Sequence, residues 1–145
     1  IEYYEKCLKI RLKIFGAENP AVAAACNNLG GAYTARGDYD KAIEYYKKRL
    51  KIRLKISGAE NPAVAGACNN LGGAYTAKGD HDKAIEYYEK CLKIRLKISG
   101  AENPAVANMY NNLGGAYTAR GDYDKAIEYY EKYEEQKYVQ IRNQK

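Results

Sequence analysis

Pairs of adjacent asparagines recur along the chain at a constant spacing of 42 residues: Asn27/Asn28, Asn69/Asn70 and Asn111/Asn112. A carboxamide can both donate a hydrogen bond to and accept one from the backbone of an extended peptide, whatever the side chains of that peptide. Asparagine is also a mediocre helix former, so its repetition at one helical position indicates a use for the amide. The pairs are therefore candidate binding residues. The alternative is that one asparagine of each pair bonds to the next repeat and fixes the angle between repeats.

Residue types that could support catalysis are present, but not in a catalytic arrangement. The single histidine, His81, stands where other repeats have Tyr39 and Tyr123, and no serine or cysteine nucleophile is spaced to use it. Recurring acids such as Asp38 and Asp40 are explained by helix capping and the helix dipole. No glycine-rich loop follows a strand, because no strand is evident. We therefore expect no enzymatic activity and no cofactor.

Four cysteines occupy repeat-equivalent positions, Cys7 with Cys91 and Cys26 with Cys68. No C-x-x-C pair or adjacent histidine offers the spacing of metal ligands, so we expect no metal. Small buried thiols in a reducing compartment are the favoured interpretation. A disulfide between Cys26 and either Cys7 or Cys91 stays open as an alternative. With no membrane-length apolar run and no leader-like segment, a cytoplasmic location is expected.

The chain is a tandem repeat, which determines how these residues must be positioned. Segments 17–58 and 59–100 differ at five positions of 42. A period of this length is typical of stacked supersecondary units that bury their apolar faces against their neighbours. We expect one array comprising a truncated repeat at 1–16, full repeats at 17–58 and 59–100, and a divergent last repeat at 101–145. Because Ile1 is in register with Ile43, the chain is expected to be a segment of a longer array.

Each repeat is predicted to contain two helices. In the loop before the first, Gly16 provides a stop, Asn19 a cap and Pro20 a residue suited to the first helical position. Helix A should run from about Pro20 to Arg36. Helix B should start at Asp38 or Asp40 and end near Ser57. About seven helices and an all-α fold follow.

Helical periodicity assigns the faces of both helices. The core side of helix A carries Val22, Cys26, Leu29 and Tyr33. On a helical wheel, Asn27 points more directly away from the core side than Asn28 does, so Asn28 is the better candidate for a bond between repeats. Helix B has a broad apolar arc that should contact its own helix A and the next repeat: Tyr39, Ala42, Ile43, Tyr45, Tyr46, Leu50, Ile52, Leu54 and Ile56.

The string Asn27-Asn28-Leu29-Gly30-x-x-Tyr33, followed by Gly37-Asp38-Tyr39, Ala42 and Tyr46, resembles the tetratricopeptide repeat, in its 42-residue kinesin-light-chain type. The resemblance implies a right-handed superhelical solenoid of antiparallel helix pairs whose A helices line a concave groove. It also implies that the groove binds an extended segment or helix of a partner protein. Gly30 and Ala42 match the small pair that lets the two helices approach. The matching groove positions are Asn27, Asn28, Gly31, Thr34, Ala35, Asn69, Asn70, Gly73, Thr76, Ala77, Asn111, Asn112, Gly115 and Thr118.

Arginines interrupt the apolar arc of helix B. Arg49 replaces the cysteine of other repeats and must extend to solvent or find an acceptor. A separate set, Arg11, Arg53 and Arg95, occupies one repeat position nearer the end of helix B. These three arginines are predicted to be partly buried and bonded to a backbone carbonyl, or to a carboxylate such as Glu18 or Glu60.

The two ends of the array should differ. Residues 127–145 carry Glu134, Gln136 and Gln140 where earlier repeats are apolar, as expected of a polar C-terminal capping helix. The N-terminal helix has no comparable cap, and end-to-end self-association through it is plausible. Its apolar stripe comprises Ile1, Leu8, Ile10, Leu12 and Ile14.

Three functions are compatible with these features. The first is a protein-interaction scaffold that binds a partner in a neutral groove. The second is a structural spacer or self-associating rod without a groove ligand. The third is attachment of the lysine-rich B helices to nucleic acid or anionic surfaces, which the net charge of +6 permits. Nucleic-acid binding is disfavoured because the basic positions mostly share one helix face without stacking aromatics.

Overall fold

The computed structural model describes residues 1–144, which form seven α-helices and no strand. Each helix packs chiefly against the helices directly before and after it. The helices α2, α4 and α6 are the A helices, and α1, α3, α5 and α7 are the B helices. The predicted all-α stack of helix pairs is confirmed. The bounds are α1 Glu2–Phe15, α2 Pro20–Arg36, α3 Tyr39–Ser57, α4 Pro62–Lys78, α5 His81–Ser99, α6 Pro104–Arg120 and α7 Tyr123–Asn143.

The predicted capping residues set the helix ends. The side chain of Asn19 accepts a hydrogen bond from the Ala21 backbone N–H at 2.8 Å, and Pro20 begins α2. Gly37 ends that helix in the left-handed region at φ +86°, which glycine adopts without steric cost. The Asp38 side chain then accepts from the Lys41 backbone N–H at 3.3 Å, so Asp38 rather than Asp40 caps α3. The predicted bounds of helices A and B are confirmed.

A glycine in each A helix allows the two helices of a repeat to approach closely. A Cβ atom placed on Gly72 would lie 2.5 Å from the ring of Tyr88. Gly30 and Gly114 face Tyr46 and Tyr130 in the same way. The glycine therefore permits close approach as predicted, but the atoms nearest to it belong to a tyrosine ring of helix B.

The apolar arc of helix B is less buried than its pattern predicts. Ala42, Ile43 and Tyr46 are buried, whereas Leu54 and Ile56 are 42% and 40% exposed. The buried residues lie near the start of α3 and the exposed ones near its end. The adjacent helices therefore cover the first half of helix B more completely than the second.

The arginine predictions hold in part. Arg11 is half-buried and donates to the carbonyl oxygen of Ala21 at 2.9 Å. Arg53 and Arg95 are also half-buried. The suggested carboxylate partners are wrong, because Glu18 pairs with Lys55 at 2.8 Å and Glu60 pairs with Lys97 at 2.9 Å.

Both end helices expose apolar side chains. In α1, Ile10 and Ile14 are 57% and 66% exposed, whereas Leu8 packs partly against the core. In α7, Glu134 is exposed as predicted, but Ile127 and Tyr138 are also 55% and 70% exposed. The expected polar cap over 127–145 is therefore only partly polar. Its last residue lies outside the described part of the chain.

Within residues 1–144, no helix is both long enough and apolar enough to serve as a membrane span.

Candidate functional site

The exposed side of the three A helices carries the predicted binding residues. The opposite side of α4 is buried through Val64, Cys68, Leu71 and Tyr75, which fixes the direction in which the remaining residues point. We call this exposed side, together with the half-buried asparagines and Thr34 at its edge, the asparagine face. Its members are uncharged: Asn27, Asn28, Gly31, Thr34, Ala35, Asn69, Asn70, Gly73, Thr76, Ala77, Asn111, Asn112, Gly115 and Thr118.

Hydrogen bonds between asparagine amides join successive A helices. The Asn70 Nδ2 donates to Asn27 Oδ1 at 3.0 Å, and the Asn112 Nδ2 donates to Asn69 Oδ1 at 3.3 Å. The first asparagine of one pair therefore accepts from the second asparagine of the next pair. This ladder crosses both interfaces between A helices.

The ladder reverses the expected roles of the first asparagine pair. Asn27 is half-buried and bonded, whereas Asn28 is exposed. The wheel treated α2 as an isolated helix, but α4 lies beside it and its Asn70 bonds to Asn27. Asn28 holds the donor position of Asn70 and Asn112, and within the described residues 1–144 no A helix stands before α2 to accept a bond from it.

The ladder occupies only part of the hydrogen-bonding capacity of the amides. It uses Oδ1 of Asn27 and Asn69, and Nδ2 of Asn70 and Asn112. A carboxamide has two donor hydrogens and one acceptor oxygen. Nδ2 of Asn27 and Asn69 and Oδ1 of Asn70 and Asn112 therefore remain for a ligand. A structural role and a binding role of the asparagines are thus compatible.

A guanidinium group reaches the ladder in the first repeat. Arg49 Nη1 donates to Asn27 Oδ1 at 3.0 Å, so the predicted acceptor is found. Burial lowers the pKa of Arg49, with a smaller contribution from the positive charge of Arg53. A Cβ on Gly66 would lie 3.7 Å from Arg49 Nη2. Sequence reasoning predicted a groove without basic groups. The signal in the sequence was Arg49 itself, because α1 and α5 carry the small residue cysteine at the same position.

Tyrosine hydroxyls from the B helices also reach the asparagine face, which sequence reasoning missed. A Cβ on Gly73 would lie 3.8 Å from the hydroxyl of Tyr88, and the same relation holds for Gly31 and Gly115. The Thr76 hydroxyl donates to the carbonyl oxygen of Gly72 at 2.8 Å. Tyr88 is the equivalent of Tyr46, which the sequence pattern places only in the apolar arc of helix B. A tyrosine at this position and a Gly-Gly pair recur together in every repeat. This recurrence could have indicated that the tyrosine ring packs against the first glycine and that its hydroxyl reaches the second.

The residues considered for catalysis or metal binding lie outside the asparagine face. His81 is half-buried at the start of α5. In the described range 1–144, no three His, Cys, Asp or Glu side chains are grouped to hold a metal ion. The four cysteines are free, so the open disulfide alternative is not realised. Burial raises the pKa of the Cys68 thiol to about 11, which keeps it protonated and unreactive near neutral pH.

A family model described as tetratricopeptide repeat matches residues 1–55 and 64–137. No curated protein matches this chain. The crystal structure of BtubC (BKLC) from P. vanneervenii is similar with a TM-score of 0.90 at 30% identity, over 97% of this chain and 56% of that one. A kinesin light chain-like protein of Podospora anserina with nearly identical TPR-like repeats has a TM-score of 0.82 at 28% identity, over 94% of this chain and 64% of that one.

This chain thus spans less than two thirds of both of those chains. The TPR domain of Arabidopsis FLU shares the fold with a TM-score of 0.71 at 20% identity, over 81% of this chain and 95% of that domain. The family model covers most of the sequence, and the similar structures share the fold. The chain belongs to the tetratricopeptide repeat family.

Proposed function

We propose that this chain is a protein-interaction module whose asparagine face binds an extended or helical segment of a partner protein. Tetratricopeptide repeats generally mediate protein–protein interactions, and proteins built from them are typically non-enzymatic scaffolds. We expect the same of this chain. The partner contributes backbone groups or a neutral helix rather than an acidic tail, because the members of the asparagine face are uncharged and the Arg49 guanidinium at its edge already bonds to Asn27.

The observation that carries the proposal is the second glycine of each Gly-Gly pair. Gly72 must be glycine because a Cβ would overlap Tyr88, but a Cβ on Gly73 would meet only an ordinary contact at 3.8 Å. Glycine in a helix interior costs about 1 kcal/mol relative to alanine. Packing within the chain does not require that cost at Gly73, Gly31 or Gly115. Close approach of another backbone to this face would offset it.

The proposal can be tested with a peptide display library selected on the intact chain. Selected peptides are then titrated by calorimetry against the wild type, Ala77→Glu and Ala101→Glu. Ala77 is exposed on the asparagine face, whereas Ala101 is exposed in the turn before α6. The two variants therefore add the same charge on and off the proposed site.

We expect Ala77→Glu to weaken peptide binding at least tenfold and Ala101→Glu to leave it unchanged. Equal affinities for the two variants, or a library from which no peptide is enriched, would count against the asparagine face. An Asn69/Asn70 double substitution is a poorer test. It removes two bonds of the ladder. A loss of peptide binding could then result from altered repeat geometry rather than from a lost contact with the peptide.

Self-association is a second candidate function, which the exposed apolar side chains of the end helices favour. Ile14 of α1 and Tyr138 of α7 are 66% and 70% exposed. Sedimentation velocity at several concentrations would show a rising mass if these faces pair head to tail. Ile14→Lys should then restore the monomer, whereas a constant monomeric mass would exclude this function for the chain.

A further inference from the structure

A cavity of about 320 Å³ lies between α1, α2 and α3, on the side of α2 opposite to the asparagine face. Val22 and Cys26 of α2 form its floor together with Leu8 of α1. Three lysines of α3 line its rim: Lys48, Lys51 and Lys55. The cavity therefore combines an apolar interior with a basic entrance, and none of these residues belongs to the asparagine face.

The same cavity recurs one repeat later. A pocket of about 370 Å³ lies between α3, α4 and α5, and each of its lining residues stands 42 positions after one in the first pocket. Its floor includes Val64 and Cys68, and its rim includes Lys93. Recurrence at every lining position shows that the pocket is a property of the repeat. We call the two cavities the inter-B pockets.

The last repeat carries a different set of residues at this place. Tyr110 stands where the inter-B pockets have Cys26 and Cys68. Lys132 Nζ lies 5.9 Å from the centre of the Tyr110 ring. Burial raises the pKa of Tyr110, and the negative charge of the Glu135 carboxylate makes a smaller contribution in the same direction. The phenol ring therefore lies among the residues that correspond to the pocket rim. Glu135 also replaces the central rim lysine of the other two repeats.

The rim lysines differ in how their charges are used. Lys55 and Lys97 pair with Glu18 and Glu60. Lys48 pairs with Glu44 at 3.4 Å, and Lys90 pairs likewise with Glu86. Within the described residues 1–144, Lys51 and Lys93 make no ion pair. Each inter-B pocket thus has one uncompensated ammonium group beside an apolar opening.

We propose that each inter-B pocket binds a small amphiphilic anion, an alkyl or aryl carboxylate. The apolar part fills the space above Cys26 or Cys68, and the carboxylate pairs with Lys51 or Lys93. Pockets for small ligands usually measure about 300–1,000 Å³, so these two are at the small end of that range. The anion is favoured over a neutral or cationic amphiphile because each rim has one lysine, Lys51 or Lys93, whose charge no described carboxylate compensates. This inference does not depend on the proposed function of the asparagine face.

The test is a calorimetric titration of the whole chain with monomeric decanoate, with decyltrimethylammonium as the cation of equal tail length. Cys26→Tyr and Cys68→Tyr place in each pocket the residue that the last repeat carries naturally. We expect two decanoate molecules per wild-type chain, one for each single variant and none for the double variant. Decyltrimethylammonium should bind at least tenfold more weakly than decanoate.

Two charge variants keep the test decisive if a tyrosine variant fails to fold, which circular dichroism would reveal. Lys51→Glu and Lys93→Glu alter exposed residues and reproduce the charge of Glu135. Each should weaken decanoate binding at its own pocket at least threefold, in line with a partly screened ion pair. The proposal fails if decanoate does not bind at millimolar concentration, if the double tyrosine variant binds it as the wild type does, or if the cation binds equally well.

Discussion

The second and the last repeat contain the same eight residues at the start of helix B, at 83–90 and 125–132, yet they bury them differently. Ile85 is 5% exposed, whereas the equivalent Ile127 is 55% exposed. Tyr88 and Tyr130 are 7% and 37% exposed. The difference arises because α6 packs against α5, whereas no described helix follows α7. Identical sequence is thus part of a core in one repeat and surface in the next, so the neighbouring repeat supplies the burial.

The largest expected difference between the two regions is in the effect of removing these isoleucines. Ile85→Ala leaves a cavity under α6 and should lower the free energy of unfolding by about 2–5 kcal/mol. Ile127→Ala should lower it by less than about 1 kcal/mol, because its side chain is already mostly in solvent. Urea unfolding of both variants measures the difference. Equal losses would mean that α7 is covered in solution, as it would be in a self-associated chain.

The next largest effect concerns the glycines under the two tyrosines. A Cβ on Gly72 would lie 2.5 Å from the Tyr88 ring, and one on Gly114 would lie 2.7 Å from the Tyr130 ring. Overpacking costs about 1–3 kcal/mol, whereas alanine gains about 1 kcal/mol of helix propensity. Tyr88 is held in place under α6, so Gly72→Ala should destabilise the fold.

Tyr130 has room to move, so Gly114→Ala should be nearly neutral in thermal unfolding. Gly73→Ala provides the matched control within α4. Its Cβ would have only an ordinary contact, and the variant should be as stable as the wild type or slightly more stable. A destabilised Gly73→Ala would contradict the geometry described for the Gly-Gly pair.

Much of the fold could be predicted from the sequence, because strong local signals set the helix ends. The Asn-Pro start and the glycine stop gave the bounds of α2 as the structure has them, Pro20–Arg36. Burial along helix B was harder to predict. Leu54 and Ile56 belong to the apolar arc but are exposed, because the wheel identifies an apolar side without showing how far along it the neighbours reach.

The candidate site was less predictable than the fold. The direction of Asn27 and Asn28 depends on how α2 and α4 lie side by side, which the sequence of one repeat does not specify. The inter-B pockets depend on three helices at once and on residues about 40 positions apart. Only the arginine at position 49 gave an early indication, because a buried guanidinium must find an acceptor.

Removing one bond of the asparagine ladder should lower the free energy of unfolding by less than Ile85→Ala or Gly72→Ala does. Asn70→Ala deletes the donor to Asn27 between the first and second A helices. We expect a loss of about 1 kcal/mol in the free energy of unfolding. Asn111→Ala is the matched control, because Asn111 is exposed at the end of the ladder. Equal stability of the two variants in urea unfolding would show that the ladder contributes nothing to cohesion between repeats.

The smallest expected effect concerns the bond between the second and last repeats from Tyr117 to Glu89, at 2.8 Å. Burial, and then this bond, raise the pKa of Tyr117 above that of an unfolded tyrosine, which is about 10. The resulting stabilisation is fully present below about pH 10 and is lost as the pH rises through the folded value. Tyr117→Phe should reduce stability by less than about 1 kcal/mol at pH 8 and make its decline above pH 10 shallower. An unchanged decline in urea unfolding against pH would contradict this assignment.

The central claim is that each repeat is stabilised by its neighbour. Insertion of a second copy of residues 59–100 before residue 101 tests it most directly, because both ends stay unchanged and only an internal repeat is added. Stability of a linear array is the sum of repeat and interface contributions, so the free energy of unfolding and the urea dependence of that free energy should both rise. An extended chain no more stable than the original would contradict the claim.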